Sequence, residues 1–181
     1  MAGSVTPDDA IEAIRGTGGA QPGSRALHAK GTLYRGTFTA TAEAARLSRA
    51  RFLDGSTVPA LIRFSNGSGN PAQHDGAPGV RGMAVKFTLP NGSTTDVSTQ
   101  TARLFISSTP DGFVGLLKAM RPGPTMPLRM GKYLLTHPRL ATALPILRDA
   151  NRVPVSYATV GYHGLHAFRW VAADGPNRAA D

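Results

Sequence analysis

Five histidines, at positions 28, 74, 137, 163 and 166, are the residues of this 181-residue chain suited to moving protons near neutral pH. His28 stands in "SRALHAKGT" (Ser24 to Thr32), three residues after Arg25 and two before Lys30, with no carboxylate in that stretch. The chain has no cysteine, which removes thiolate nucleophiles, thiolate-zinc sites and disulfides. No histidine pair has a metal-binding spacing such as H-E-x-x-H, and His163 and His166, three apart, would leave a strand on opposite faces, so no metal ligand is assigned. Ser24, Ser65 and Ser107 lack the G-x-S-x-G elbow of a serine hydrolase, and "GSGNP" lacks the lysine of a phosphate-binding loop. Taken alone, His28 reads as a surface or structurally hydrogen-bonded histidine more readily than as a catalytic one.

The elements around it follow from local chemistry. Thr6-Pro7-Asp8-Asp9 is a helix start, with Thr6 as N-cap and Pro7 in the first turn, and Ala10, Ile11 and Ile14 give an apolar face that ends at Gly16, Gly18 and Gly19. Residues 21–30 show no periodicity and are predicted to form an extended arm, which leaves His28 able to reach another part of the protein. Alternation and β-branched or aromatic content predict strands over 31–41, 58–66, 81–90 and 102–109, with Asn91-Gly92 as a hairpin-type turn and a helical pattern in "AEAARLSRARF". From Pro110 the pattern becomes helical in three segments as far as residue 150, and 156–175 returns to a strand pair around His163-Gly164, followed by a polar tail, "DGPNRAAD". No internal repeat is visible.

Composition bounds the partners. The chain is 41% hydrophobic, enough for one sizeable core and a single domain over 1–181. Lysine and arginine outnumber the acids 20 to 11, a net +9, but the basic residues are scattered, which argues against nucleic acid and allows an anionic small molecule. No apolar run approaches the roughly 18 residues of a membrane span, and the N-terminus has no signal-peptide pattern. The expectation is a cytoplasmic protein with no membrane or nucleic-acid partner.

Three separated blocks change the reading of His28. Arg25, His28, Lys30, Gly31, Gly36 and Phe38, then "RFS" (Arg63 to Ser65), then "RGMAVKF" (Arg81 to Phe87) resemble the haem catalase family, specifically its small catalase-related peroxidases, in the same order and over essentially the whole chain. The resemblance implies an α+β fold built on a catalase-type antiparallel β-barrel, complete or incomplete. An N-terminal helix and arm (1–30) would precede barrel strands (31–109), an external helical insert (110–150) and the strand pair (156–175). An incomplete barrel has an exposed strand edge, which predicts a homo-oligomer.

It also implies heme b as cofactor. His28 resembles the distal acid–base that takes a proton from hydrogen peroxide and returns it to the leaving oxygen. Ser65 resembles the serine that bonds the imidazole, and Arg25 and Arg63 the arginines that pair with haem propionates. Phe113 resembles the aromatic that stacks on the porphyrin, and reads equally as a helix core residue. Aligning Asp96, Phe105, Pro110 and Phe113 puts Thr101, beside Gln100, where family catalases place a peroxide-polarising asparagine.

That departure favours peroxidase-type turnover over fast disproportionation. The implied activity is reduction of hydrogen peroxide or an organic peroxide by a small organic donor, alongside weak catalase activity. The family's proximal iron ligand is a tyrosinate on a helix downstream of the strand resembling "HAFRWVAADG", and no residue here matches it. Tyr157 and Tyr162 correspond to strand positions. Two alternatives stay open: a vestigial or fragmentary haem-binding domain without catalysis, and an allene-oxide-synthase-like activity on a fatty-acid hydroperoxide.

Overall fold

The computed structural model describes residues 5–19, 21–164, 166–172, 175 and 177–179. Along the chain run α1 (Pro7–Gly18), β1 (Gly31–Thr39), α2 (Ala42–Leu47), β2 (Thr57–Asn66), β3 (Arg81–Thr88), β4 (Thr94–Gln100), α3 (Pro110–Met120), α4 (Met126–Thr136), α5 (Arg139–Ala150), β5 (His163–Gly164), β6 (Arg169–Val171) and β7 (Asn177–Ala179). The fold is α+β. Contacts group the chain into two compact units. The first holds Met1–Gly31, Ser65–Arg81 and Thr101–Gly161, and the second holds Thr32–Phe64, Gly82–Gln100 and Tyr162–Asp181.

In the first unit the helices form because their ends are satisfied. The Thr6 side chain accepts from the Asp9 N–H at 3.2 Å while the Asp9 carboxylate accepts from the Thr6 N–H at 2.9 Å, a reciprocal cap; the Thr6 hydroxyl, at 2.7 Å from the same carboxylate, and then the Thr6 N–H hold the Asp9 carboxyl below its ordinary pKa. Thr109 caps α3 in the same way, accepting from the Gly112 N–H at 3.2 Å, with Pro110 in the first turn. Ala13 of α1 lies fully buried against Val114 and Leu117 of α3, with Phe113 and Ile14 at the margin of that core. Tyr133 of α4 donates to the Gly112 carbonyl at 2.8 Å, tying α4 to the start of α3.

The second unit has its own core, in which Val58, Ala60 and Phe87 are buried among Phe38, Phe52, Ile62, Val85 and Val97. Phe87 stacks on Phe52 at 4.7 Å and meets Phe38 edge-on at 4.9 Å. β3 and β4 pair as an antiparallel hairpin with Val85 opposite Val97 and Lys86 opposite Asp96, the latter pair bridged at 2.8 Å. At its turn the Ser93 carbonyl accepts from the Leu89 N–H, and Gly92 takes the positive φ that a side chain would disfavour.

Strand order in the main sheet is β1-β2-β3-β4-β5, and among the described residues this sheet is not closed into a barrel. No helix among them is long and apolar enough to cross a membrane.

Two sequence expectations are corrected. Residues 102–109 form bends, not a strand, and the strand lies earlier, at Thr94–Gln100. The ladder stops at Thr101 because its N–H and hydroxyl both turn to the Arg81 backbone, and Ser107 then bonds the Thr109 backbone and turns the chain into α3. Residues 156–175 are not one strand pair. Residues 157–159 make a single helical turn, β5 pairs with β4, and β6 pairs with β7, which lies in the polar tail.

Phe87→Ala should destabilise the protein by about 3–5 kcal/mol, the usual cost of emptying a large aromatic site. Chemical denaturation checks it, and an unchanged midpoint would show that the three-ring stack carries little of the stability.

Candidate functional site

The arm that carries His28 has no regular structure of its own, so other contacts in the first unit must fix it. The Ser68 carbonyl accepts from the Ala29 N–H at 2.9 Å, joining the arm to the loop that follows β2. One residue on, Gly69 comes so close to the arm that a Cβ there would lie 2.3 Å from the Ala26 carbonyl oxygen. Only glycine allows that approach. The loop is held in turn by its own side chains, with Asn66 Oδ1, Ser68 Oγ and Asn70 Oδ1 accepting from the N–H groups two residues ahead at 3.2, 3.0 and 2.9 Å.

Between these two contacts the chain adopts a left-handed turn at His28, with φ of 52°, the single such non-glycine residue among those described. Histidine is one of the few side chains enriched there, and a residue held in that region costs on the order of 1–3 kcal/mol unless its surroundings enforce it. The turn delivers the imidazole to β2, where His28 Nδ1 lies 3.0 Å from Ser65 Oγ. Ser65 is 5% exposed, so this pair is shielded from solvent competition.

Two cations fasten the segment between β2 and β3. Lys30 Nζ bridges Asp75 at 3.0 Å and donates to the Gln73 carbonyl at 3.1 Å. This lysine is the main reason that the Asp75 carboxyl sits below its ordinary pKa. Arg81 is 1% exposed and donates to the carbonyls of Gly79, Asp75 and Ala77 at 2.5, 3.0 and 2.6 Å. Its guanidinium lies over the Tyr157 ring, 5.4 Å from the centroid. Burial pushes the Tyr157 hydroxyl pKa up.

The other residues singled out from sequence have the following places. The Thr101 hydroxyl accepts from the Arg81 N–H at 3.0 Å and donates to the Ala150 carbonyl at 3.1 Å, so its one proton is committed to the backbone. Arg25 is exposed on the arm. Arg63 is half-buried in the second unit, two residues before Ser65 along β2. Phe113 packs on the first core, with the Phe105 ring tilted against it at 5.5 Å. Sequence reasoning missed Gly69, Asp75 and the buried role of Arg81, whose only sequence signal is a glycine-rich stretch running into an apolar strand.

A family model described as Catalase matches residues 17–178. The chain belongs to the catalase family. It is 78% identical over 178 residues to a catalase-related peroxidase of Mycolicibacterium paratuberculosis, an alignment that covers 98% of this chain and 57% of that protein. A catalase-related peroxidase of Synechococcus elongatus is 36% identical over 171 residues, covering 92% of this chain and 50% of the relative. A catalase of Latilactobacillus sakei is 28% identical over 83% of this chain and 33% of its own length. The chain thus spans about half the length of the catalase-related peroxidases it matches.

On the side of the arm, the residues of this catalase-family chain suit a haem group in their chemistry: an imidazole bonded to a buried serine, with Arg25 three residues before it in sequence as a partner for a carboxylate. Its four tyrosines make the following contacts. Tyr133 bonds the Gly112 carbonyl, Tyr157 lies under Arg81, and Tyr34 and Tyr162 both pack against Phe64.

Gly69→Ala should displace the arm from the loop, with a stability loss of roughly 1–3 kcal/mol as for other overpacked sites. The same substitution should abolish the His28–Ser65 contact. A crystal structure of the variant with that contact intact would show that the close approach at Gly69 does not position the histidine.

Proposed function

We propose that this chain supplies the proton-handling side of a haem-dependent peroxidase of the cytoplasm, which reduces hydrogen peroxide or an organic peroxide at the expense of a small organic donor. The observation that supports it best is the 3.0 Å pair of His28 Nδ1 and the buried Ser65 Oγ, set by a left-handed backbone turn at the histidine itself.

When bound, haem, of the b type, supplies the electrons that break the O–O bond. His28 does the proton work. For Nε2 to act as a base, Nδ1 must carry the hydrogen, and Ser65 Oγ is then its acceptor. After Nε2 takes a proton from one peroxide oxygen, the imidazolium still donates through Nδ1 to the same serine, so the ring keeps its orientation while Nε2 returns the proton to the second oxygen. That oxygen leaves as water or an alcohol, and His28 ends neutral, as it began. Arg25 and Arg63 would hold the propionates through charge-assisted bonds, and Phe113 would add apolar contact.

Thr101 has no proton to offer a peroxide while it bonds Ala150. This favours donor oxidation over disproportionation, because the second peroxide of a catalase cycle loses a polarising donor. A second reading, haem binding without catalysis, draws on the resemblance, in which no residue here matches the family's proximal tyrosine.

In the haem-reconstituted protein, His28→Ala should cut peroxide-dependent oxidation of an aromatic donor such as guaiacol by about 10²–10⁴-fold, the range for general acid–base catalysis. Haem content, read from the Soret band, should stay the same. Unchanged turnover in the haem-loaded variant would remove His28 from the mechanism.

Hemin titrated into the 181-residue chain should bind weakly, without a tyrosinate-to-iron charge-transfer band, and Arg63→Ala should weaken it further. Tight binding with a tyrosinate spectrum would show that one of the four tyrosines serves as ligand and overturn the expectation.

A further inference from the structure

The His28–Ser65 pair has neighbours that converge on one carboxylate. Lys30, two residues after His28, reaches Asp75 Oδ2 at 3.0 Å. Asn66, next to Ser65 and 3% exposed, accepts from the Ser68 N–H through Oδ1 at 3.2 Å, and after Lys30 it is a lesser cause that holds the Asp75 carboxyl below its ordinary range. Asp75 thus ties the arm that carries the histidine to the segment that leads into β3. Its backbone is independently anchored, because the buried Arg81 guanidinium donates to the Asp75 carbonyl at 3.0 Å and to the carbonyls of Ala77 and Gly79.

We infer that Asp75 is a positioning residue for the His28–Ser65 pair, acting through Lys30. Its effect runs along the backbone: Lys30 pulls the arm toward Asp75 on the C-terminal side of His28, the Ala29–Ser68 bond holds the peptide between them, and the close approach at Gly69 stops the arm on the N-terminal side. The left-handed turn at His28 is the geometry that satisfies all three restraints, and without the ion pair one end of it loses a restraint.

An exposed ion pair of this kind contributes little to global stability. Its consequence is orientation, and misplacement of a catalytic group by about 1 Å costs up to about 100-fold in rate. This inference rests on the acid–base reading of His28, but its test does not depend on it.

The experiment compares Asp75→Asn, Lys30→Met and Lys30→Arg with the parent chain and with Ser65→Ala. Asp75→Asn leaves the backbone carbonyl that Arg81 holds, and Lys30 is partly exposed, so at least the lysine variants should fold; circular dichroism checks this. The first readout, on the chain without haem, is the ¹⁵N-detected NMR signature of the His28 imidazole. Asp75→Asn and Lys30→Met should move the His28 signals toward those of Ser65→Ala, and Lys30→Arg should restore them. Folded Asp75→Asn and Lys30→Met variants with parental His28 signals would overturn the inference.

The second readout is peroxide-dependent donor oxidation after reconstitution. Asp75→Asn should lower kcat by up to about 100-fold, less than His28→Ala, with the same Soret band and little change in KM for the donor. If His28→Ala itself leaves turnover unchanged, the acid–base reading fails, while the NMR outcome still decides whether Asp75 positions the ring.

Discussion

The backbone hydrogen bond from the Ala29 N–H to the Ser68 carbonyl is the constraint on which the other contacts of the arm build. The arm from residue 21 to residue 30 has no helix or strand to organise it, and an unanchored segment of that length would sample many conformations at a backbone cost of about 1–2 kcal/mol per residue to order. The bond to Ser68 fixes one peptide of the arm, and the absent Cβ at Gly69 lets the neighbouring backbone close against Ala26. With both in place, His28 has little choice but the left-handed turn that carries its ring to Ser65. The strain of that turn is local, and the contacts that hold it are distributed over the loop and its two cations.

Those cations explain part of the chain's basic balance. Arg81 is buried without a carboxylate beside its guanidinium in the contacts described, and its charge is met by three carbonyl dipoles and the Tyr157 face. A buried arginine tied to carbonyls stiffens the segment that it encloses, since releasing any one carbonyl leaves a donor unsatisfied in a poorly solvated place. Asp75 belongs to that enclosed segment, so the carboxylate that receives Lys30 is itself fixed. Proton chemistry at His28 is therefore supported from two directions, by Ser65 on the ring and by the clamped loop on the backbone.

Much of this was legible in the sequence. The cap at Thr6, the three helices between 110 and 150, the strands at β1, β2 and β3 and the turn at Asn91-Gly92 all follow from side-chain chemistry that acts within a few residues, whereas Thr109, read as the end of a strand, caps α3. What escaped depends on distant partners. β4, "TTDVSTQ", offers one aliphatic residue, Val97, and is a strand because β3 pairs with it along its length. The segment 102–109 has the β-branched and aromatic content of a strand, but Thr101 bonds the Arg81 and Ala150 backbones and the ladder ends there. The three separated blocks named His28 and Ser65, and the structure brings the two within 3.0 Å. They gave no sign of Gly69 or Asp75, because a close approach and an ion pair between residues 45 apart in sequence leave no local pattern, and an arginine read from sequence alone is expected on the surface.

The central claim is that the arm is held at a fixed position by its backbone, and amide hydrogen exchange at Ala29 tests it most directly. A docked arm predicts that the Ala29 amide exchanges as slowly as that of Gly67, which bonds the Val80 carbonyl at 2.8 Å in the same unit, and far more slowly than an unstructured peptide. Exchange of Ala29 at the rate of an open chain, with Gly67 still protected, would contradict it: the histidine would then ride on an undocked segment, and its contact with Ser65 would be one conformation among many.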